Sequence, residues 1–261
     1  MSATLGGLIK DYRLQKNISQ LEIAFALGWK EPSRLSRIEQ GRVGNPKRTF
    51  VNRLMVAMKL SREEKNRLML VGNYIPEEEE VLEVRKEAQP VLQAWKYPAV
   101  MYDYLGRITA KNAPADSIYQ PEHVLGKKAL KQYAHVLELL FHPEFAQNKL
   151  LAGEAQEHWH ATLQDIIVHF RTEHKSRTKE RWYLDLVSAM LKNKLFRDLW
   201  NATQGKTVTD IVSSFSQRTL IHPDKPKKTL SFAVFYVPLR EDPRFVVEFH
   251  TPADEETMKA F

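Results

Sequence analysis

Ser33, Arg34 and Arg37 stand at i, i+1 and i+4, so on a helix they project together from one side near its start. An arginine guanidinium is a planar fork whose paired donors match the O6 and N7 acceptors of guanine, and a serine hydroxyl can pair with several base edges. Leu35 and Ile38, three apart, turn the other way and supply the burial that would seat such a helix. Around this trio lie Gln20, Arg42, Lys47 and Arg48, side chains suited to phosphate oxygens, which orient a protein on a duplex without reading its sequence.

Such side chains need a rigid frame, and the flanking sequence predicts one. Leu5, Leu8, Ile9 and Tyr12 mark the apolar face of a first helix that Asn17 ends. Ser19-Gln-Leu-Glu22 has the form of a capping box, in which serine accepts from the third amide and glutamate reaches back, and it opens a second helix from about Gln20 to Leu27. Gly28 suits the positive φ that ends a helix and Pro32 suits a first helical position, so a third helix is expected from about Pro32 to Gln40, stopped by Gly41. Thr49 is expected to cap a fourth helix through Met58, and a second capping box, Ser61-Arg-Glu-Glu64, a fifth through Val71. Two short helices joined by a Gly-containing turn form a helix-turn-helix. Its second helix would carry Ser33, Arg34 and Arg37 toward base edges, with Gln20, Arg42, Lys47 and Arg48 toward phosphates.

The charge supports this reading. The formal net charge is +7, yet residues 1–75 hold 14 Lys and Arg against 6 Asp and Glu, while residues 76–261 hold 25 against 26. The whole excess lies in the first module, as expected of a polyanion-binding unit joined to a neutral one. The run Ile18-Ser-Gln-Leu-Glu-Ile-Ala24, with Leu5-Gly6, Leu8, Arg13, Leu27-Gly28, Ser33-Arg-Leu-Ser-Arg-Ile-Glu-Gln-Gly41 and Pro46, resembles the Cro and lambda-repressor type of helix-turn-helix, the xenobiotic-response-element family. The resemblance covers about the first 72 residues and implies five helices and a double-stranded DNA partner; the turn Trp29-Lys-Glu-Pro32 is one residue longer than the usual pattern. Helix-turn-helix folds also serve as protein-interaction modules, which the charge disfavours.

Asn73-Tyr-Ile-Pro76 breaks the helical pattern, and Glu77 to Glu80 then favour a helix start through its dipole. Pro90 is expected to kink or end that helix, making residues 76–97 a helical connector. Beyond it the rhythm is α+β. A hairpin is expected from Pro98 to Tyr104 and Arg107 to Lys111, helices over about 124–214, and strands at Ser216 to Ile221, Leu230 to Leu239 and Arg244 to Thr251. In the last of these, Phe245, Val247 and Phe249 alternate with Glu248 and His250, predicting an apolar buried face and a polar outer one. Two strands before and three after a set of helices is the order of a PAS-like domain. Tyr104-Leu-Gly-Arg-Ile108 with Asn112, Leu139-Leu-Phe-His-Pro143, Phe196-Arg-Asp-Leu-Trp200, His222-Pro223 and Arg244-Phe-Val-Val247 resemble the ligand-binding domain of MmyB-like transcription regulators. That resemblance implies a PAS-like sensor over residues 98–261 and a long apolar ligand such as a fatty acid.

For such a ligand the candidate residues are Trp159, Leu163, Ile167, Phe170, Tyr183, Val187, Phe196, Arg197, Trp200 and Phe232, most of them on apolar helical stripes whose commonest role is simply core. Arg107, Arg171, Arg181 and Arg197 are each candidates for its polar head, and the sequence does not choose among them. The chain has no cysteine, so it has neither disulfide nor thiolate site. His158 and His160 are two apart and diverge on a helix, giving no metal spacing. Neither a phosphate-cradling glycine loop nor a nucleophile elbow occurs, so no enzyme and no required cofactor are expected. No apolar run reaches the roughly 18 residues of a membrane span. The expectation is therefore a multidomain, cytoplasmic bacterial regulator: an all-α helix-turn-helix domain at 1–75 and a PAS-like domain with a five-stranded antiparallel sheet. It would bind DNA as a homodimer and take up a small apolar ligand away from any membrane; in the alternative, the second domain only dimerises or recruits a protein.

Overall fold

The structure, a computed structural model, describes residues 4–119, 134–143, 154–206, 215–222 and 225–261. It divides into two compact units, one comprising Met1–Leu82 with Pro238–Phe245, the other Glu83–Val237 with Val246–Phe261. The division thus falls within the connector helix, and a distant segment joins the first unit.

Five helices build that unit: α1 (Leu5–Gln15), α2 (Gln20–Ala26), α3 (Ser33–Glu39), α4 (Arg48–Ala57) and α5 (Arg62–Val71). Both capping boxes form; Ser19 and Ser61 accept from the amides of Glu22 and Glu64, whose carboxylates accept in return. Leu8, Ile9, Ile23, Leu35, Val51, Leu54, Met58 and Leu68 make the core. Two predicted starts move by one or two residues. Pro32 precedes α3 rather than opening it, and Thr49 is no cap, because Lys47 is extended and its carbonyl already accepts from Phe50 and Val51. Gly28, at φ +79°, closes α2 and lets the Trp29 amide donate back to Ala24.

Helix α6 (Glu78–Ala94) continues past Pro90 rather than ending there. A proline costs a helix about 3 kcal/mol through its missing donor, and burial of Val84, Ala88 and Leu92, spaced four apart, offsets that. In the second unit β1 (Ala99–Asp103) and β2 (Ile108–Lys111) form the hairpin, followed by α7 (Ala113–Tyr119), α8 (Val136–Leu140), α9 (Glu154–Glu173), α10 (Arg181–Met190) and α11 (Lys194–Ala202). Parts of the expected helical stretch, and Pro223, lie outside the described residues. Strands β3 (Phe215–His222), β4 (Lys225–Pro238) and β5 (Phe245–Pro252) complete a five-stranded antiparallel sheet in the order β2-β1-β5-β4-β3, and α12 (Glu255–Met258) follows. Arg218 lies opposite Phe232 in the β3–β4 register.

The polarity of β5 differs from the sequence reading. Val247 is buried as expected, but so are Glu248 and His250, at 3% and 0% exposure, while Phe249 is only partly covered. Alternation tells which residues share a face; it does not tell which face has polar partners waiting. Asn112 holds this unit together by accepting from the amides of Ala99 and Ala115 and donating to the carbonyls of Leu92, Trp95 and Tyr97.

Candidate functional site

The recognition helix is seated by one buried ion pair. Arg13 on α1 donates from Nε and Nη2 to the two carboxylate oxygens of Glu39 on α3, at 2.7 and 3.0 Å, and from Nη1 to the Ile18 carbonyl. Gln20 adds a hydrogen bond to Glu39 at 2.7 Å, which commits one of its two amide hydrogens. With Leu35 and Ile38 inward, Ser33, Arg34 and Arg37 are exposed on α3. Ser33 Oγ donates to Glu31 at 2.7 Å. Arg34 lies with its guanidinium 4.7 Å from the centre of the Trp29 ring and 5.7 Å from that of Phe50, and these two rings stack on each other. Trp29, in the turn before α3, thus forms a shelf under the Arg34 guanidinium.

Arg42 and Lys47 are exposed in the segment between α3 and α4. That segment is anchored by Asn45, which donates to the Gly72 carbonyl, and by Tyr74 Oη, which donates to the Pro46 carbonyl at 2.6 Å. Arg48 is placed otherwise than its neighbours. It donates to the Ile75 carbonyl at 2.7 Å, pairs with Glu80, and brings Nε within 3.0 Å of Glu77 without hydrogen-bond alignment.

In the second unit most of the ten candidate ligand residues lie in one hydrophobic core. Trp159, Leu163, Ile167, Phe170, Tyr183, Phe196 and Phe232 are buried members of one core, Val187 and Trp200 pack against it, and Arg197 is exposed, donating to the Leu191 carbonyl. The other arginines considered are also committed: Arg107 to Asp103, Arg181 to Asp185, and Arg171 to the Trp200 carbonyl while covering the Trp200 ring at 3.7 Å. A small cavity of about 10 Å³ opens elsewhere, among Val100, Tyr102, Ile108, Ala115, Val136, Leu139 and Leu140. Its polar lining is Lys111, Tyr119, Tyr102 and Arg218.

Arg218 is the arginine that sequence reasoning missed. It donates from Nη1 to Glu248 at 2.6 Å and to Tyr119 Oη at 3.0 Å, and from Nη2 to Tyr236 Oη at 3.1 Å. Pro98 offers only a carbonyl to His250 Nδ1, so that nitrogen carries the proton, and Nε2 accepts from Tyr119 Oη at 2.8 Å. Burial opposes the charge on Arg218, but Glu248 and the tyrosines more than compensate and its pKa rises well above the ordinary value. Burial pushes Tyr102 and Tyr119 up, so both remain protonated donors. Burial also holds His250 down at about 4, the nearby Arg218 charge adding to the effect against Glu248. The signal for this network was present in the sequence as polar residues inside apolar strands, but their partners lie 18 to 152 positions apart.

No helix among the described residues is long and apolar enough to cross a membrane. Comparison with curated proteins gives no match. Residues 4–68 match a helix-turn-helix domain family, and residues 84–261 match the family described as MmyB-like transcription regulator ligand binding domain. The second match covers more than half of the sequence, and so the chain belongs to the MmyB-like transcription regulators, ligand-responsive proteins that join a DNA-binding helix-turn-helix to a small-molecule-binding domain.

Proposed function

We propose that this regulator acts as a cytoplasmic homodimer, reads a two-fold operator through Ser33, Arg34 and Arg37, and responds to an amphiphile such as a fatty acid. A two-fold dimer would meet half-sites about 34 Å apart. The observation that carries the ligand class is the lining of the cavity: apolar side chains ending on two cations, Lys111 and Arg218, and on the hydroxyls of Tyr102 and Tyr119, the latter already donating to His250. Cations at the end of an apolar lining suit an acceptor head group such as a carboxylate. At about 10 Å³ the space holds roughly one water. An acyl chain therefore requires the surrounding side chains to part, and that differential fit is what lets a ligand shift one arrangement against another.

Native mass spectrometry of the purified protein, followed by titration with a medium- or long-chain fatty acid, tests this reading. The expected result is one lipid per chain, with affinity reduced roughly tenfold in Lys111→Met and in Tyr102→Phe while the free acid outcompetes its methyl ester. A chain that takes up no lipid, or that binds ester and acid alike, would remove the carboxylate ligand and leave a dimerising or partner-recruiting domain. Arg218 itself is a poor test, since its loss would strand Glu248 as an unpaired buried charge at a cost of about 3–5 kcal/mol.

A further inference from the structure

Arg244 has the largest fully buried side chain among the described residues, and it lies in the Pro238–Phe245 segment that belongs to the first unit. Asp242 holds it at Nε and Nη2, at 2.9 and 2.8 Å, and the same Nη2 donates to Glu80 Oε1 at 3.0 Å. Asn66 on α5 fastens the segment further by donating to the Glu241 carbonyl at 2.8 Å. Glu80 is therefore shared. Its Oε1 faces Arg244 and its Oε2 faces Arg48, the first residue of α4. Burial raises the carboxyl of Glu80, but the two arginines and the Glu77 amide outweigh it and hold the group ionised below its ordinary range.

Arg48 is a guanidinium at the start of a helix whose first turn has no side-chain cap, next to the exposed Lys47 and Arg42. Helix starts of this kind favour phosphate. A DNA phosphate thus competes for Arg48 with the carboxylates of Glu80 and Glu77, and Arg244 sets the strength of the Glu80 contact by drawing on the same carboxylate. We propose that Arg244 is a positioning residue for DNA binding, which acts through Glu80 to set how readily Arg48 turns to a phosphate. Residues 238–245 join β4 to β5, and β5 carries Glu248 and His250, so the segment is covalently continuous with the strands of the ligand-binding network. The inference rests on the DNA-binding reading above.

Fluorescence anisotropy of the full chain with random-sequence duplex DNA, between 50 and 200 mM salt, tests it. Glu80→Gln removes the competing charge. It is expected to tighten binding and steepen the salt slope by about 0.9, roughly a threefold larger loss of affinity across that range. Arg244→Met combined with Asp242→Asn, which avoids an unpaired buried acid, leaves all of Glu80 to Arg48 and is expected to weaken binding and flatten the slope. Adding Glu80→Gln to that pair should return affinity to the Glu80→Gln value, and the gain from Glu80→Gln should vanish in an Arg48→Ala background. Circular dichroism melts verify that each variant is folded; if the paired variant is not, Arg244→Lys, which keeps the charge but loses the fork, is expected to weaken binding to a smaller extent. A purely structural role moves both substitutions the same way, and that outcome, or an unchanged slope in Glu80→Gln, would overturn the proposal. A wild type without affinity for DNA would instead overturn the regulator reading, and this one with it.

Discussion

Arg34 shows how a single exposed residue can be placed by its neighbours. Its guanidinium rests against Trp29 and Phe50, an arrangement worth about 0.5–1 kcal/mol at an exposed site. The stack presents the fork in one orientation and lowers the entropy lost on meeting a base. Lysine keeps the charge but has neither the plane nor the paired donors. Arg34→Lys is therefore expected to reduce the ratio of operator to random-sequence affinity by about tenfold while leaving the thermal melt nearly unchanged. Competition binding at fixed salt checks this, and an unchanged ratio would mean that Arg34 reads no base. Arg48 carries the opposite lesson at the same scale. As a residue type it suits phosphate, yet its pairing with Glu77 and Glu80 makes its availability a question of competition.

Among the elements, the packing of α1 on α3 decides the geometry of the DNA-binding face. Besides the Arg13–Glu39 pair, the approach depends on Gly6, where an added Cβ would lie 2.2 Å from the Ile38 carbonyl oxygen. Real Cβ atoms do not come that close to backbone, so Gly6→Ala must push the two helices apart. The expected cost is about 2–4 kcal/mol by chemical denaturation, in the range of overpacked cores, with operator affinity falling by more than random-sequence affinity because α3 loses its seat. Both capping boxes and the glycine closing α2 were legible in the sequence, since caps are chemistry within three or four residues. The continuation of α6 past Pro90 was not, because the burial that offsets a missing donor comes from outside the helix.

The whole molecule is chemically asymmetric. Its nine histidines all fall after Leu82, and among them His135, His174 and His250 are held down by burial, to about 3, 4 and 4. A folded-state pKa below the unfolded value of about 6.5 means that the unfolded chain binds more protons in between. Stability is then complete above about pH 6.5 and is lost as the pH falls toward 4, by about 3 kcal/mol each for His174 and His250. The unit from Glu83 onward should therefore unfold first on acidification, followed in urea titrations at pH 7, 5.5 and 4.5 by its tryptophans and by the helical signal; a midpoint independent of pH would contradict the buried neutral state. The sequence by itself determined the order of elements, the two helix starts that carry capping boxes, the confinement of excess charge to the first 75 residues and the family, because these depend on local spacing and composition. Only the tertiary structure decided which polar residues are buried and with whom: Arg218 with Glu248, His250 with Tyr119, Arg244 with Glu80. It also places most of the candidate stripe residues in one core and opens a small cavity beside Arg218. The physical reason is that periodicity assigns a residue to a face, whereas depth and partnership arise when chain segments up to 178 positions apart close on each other.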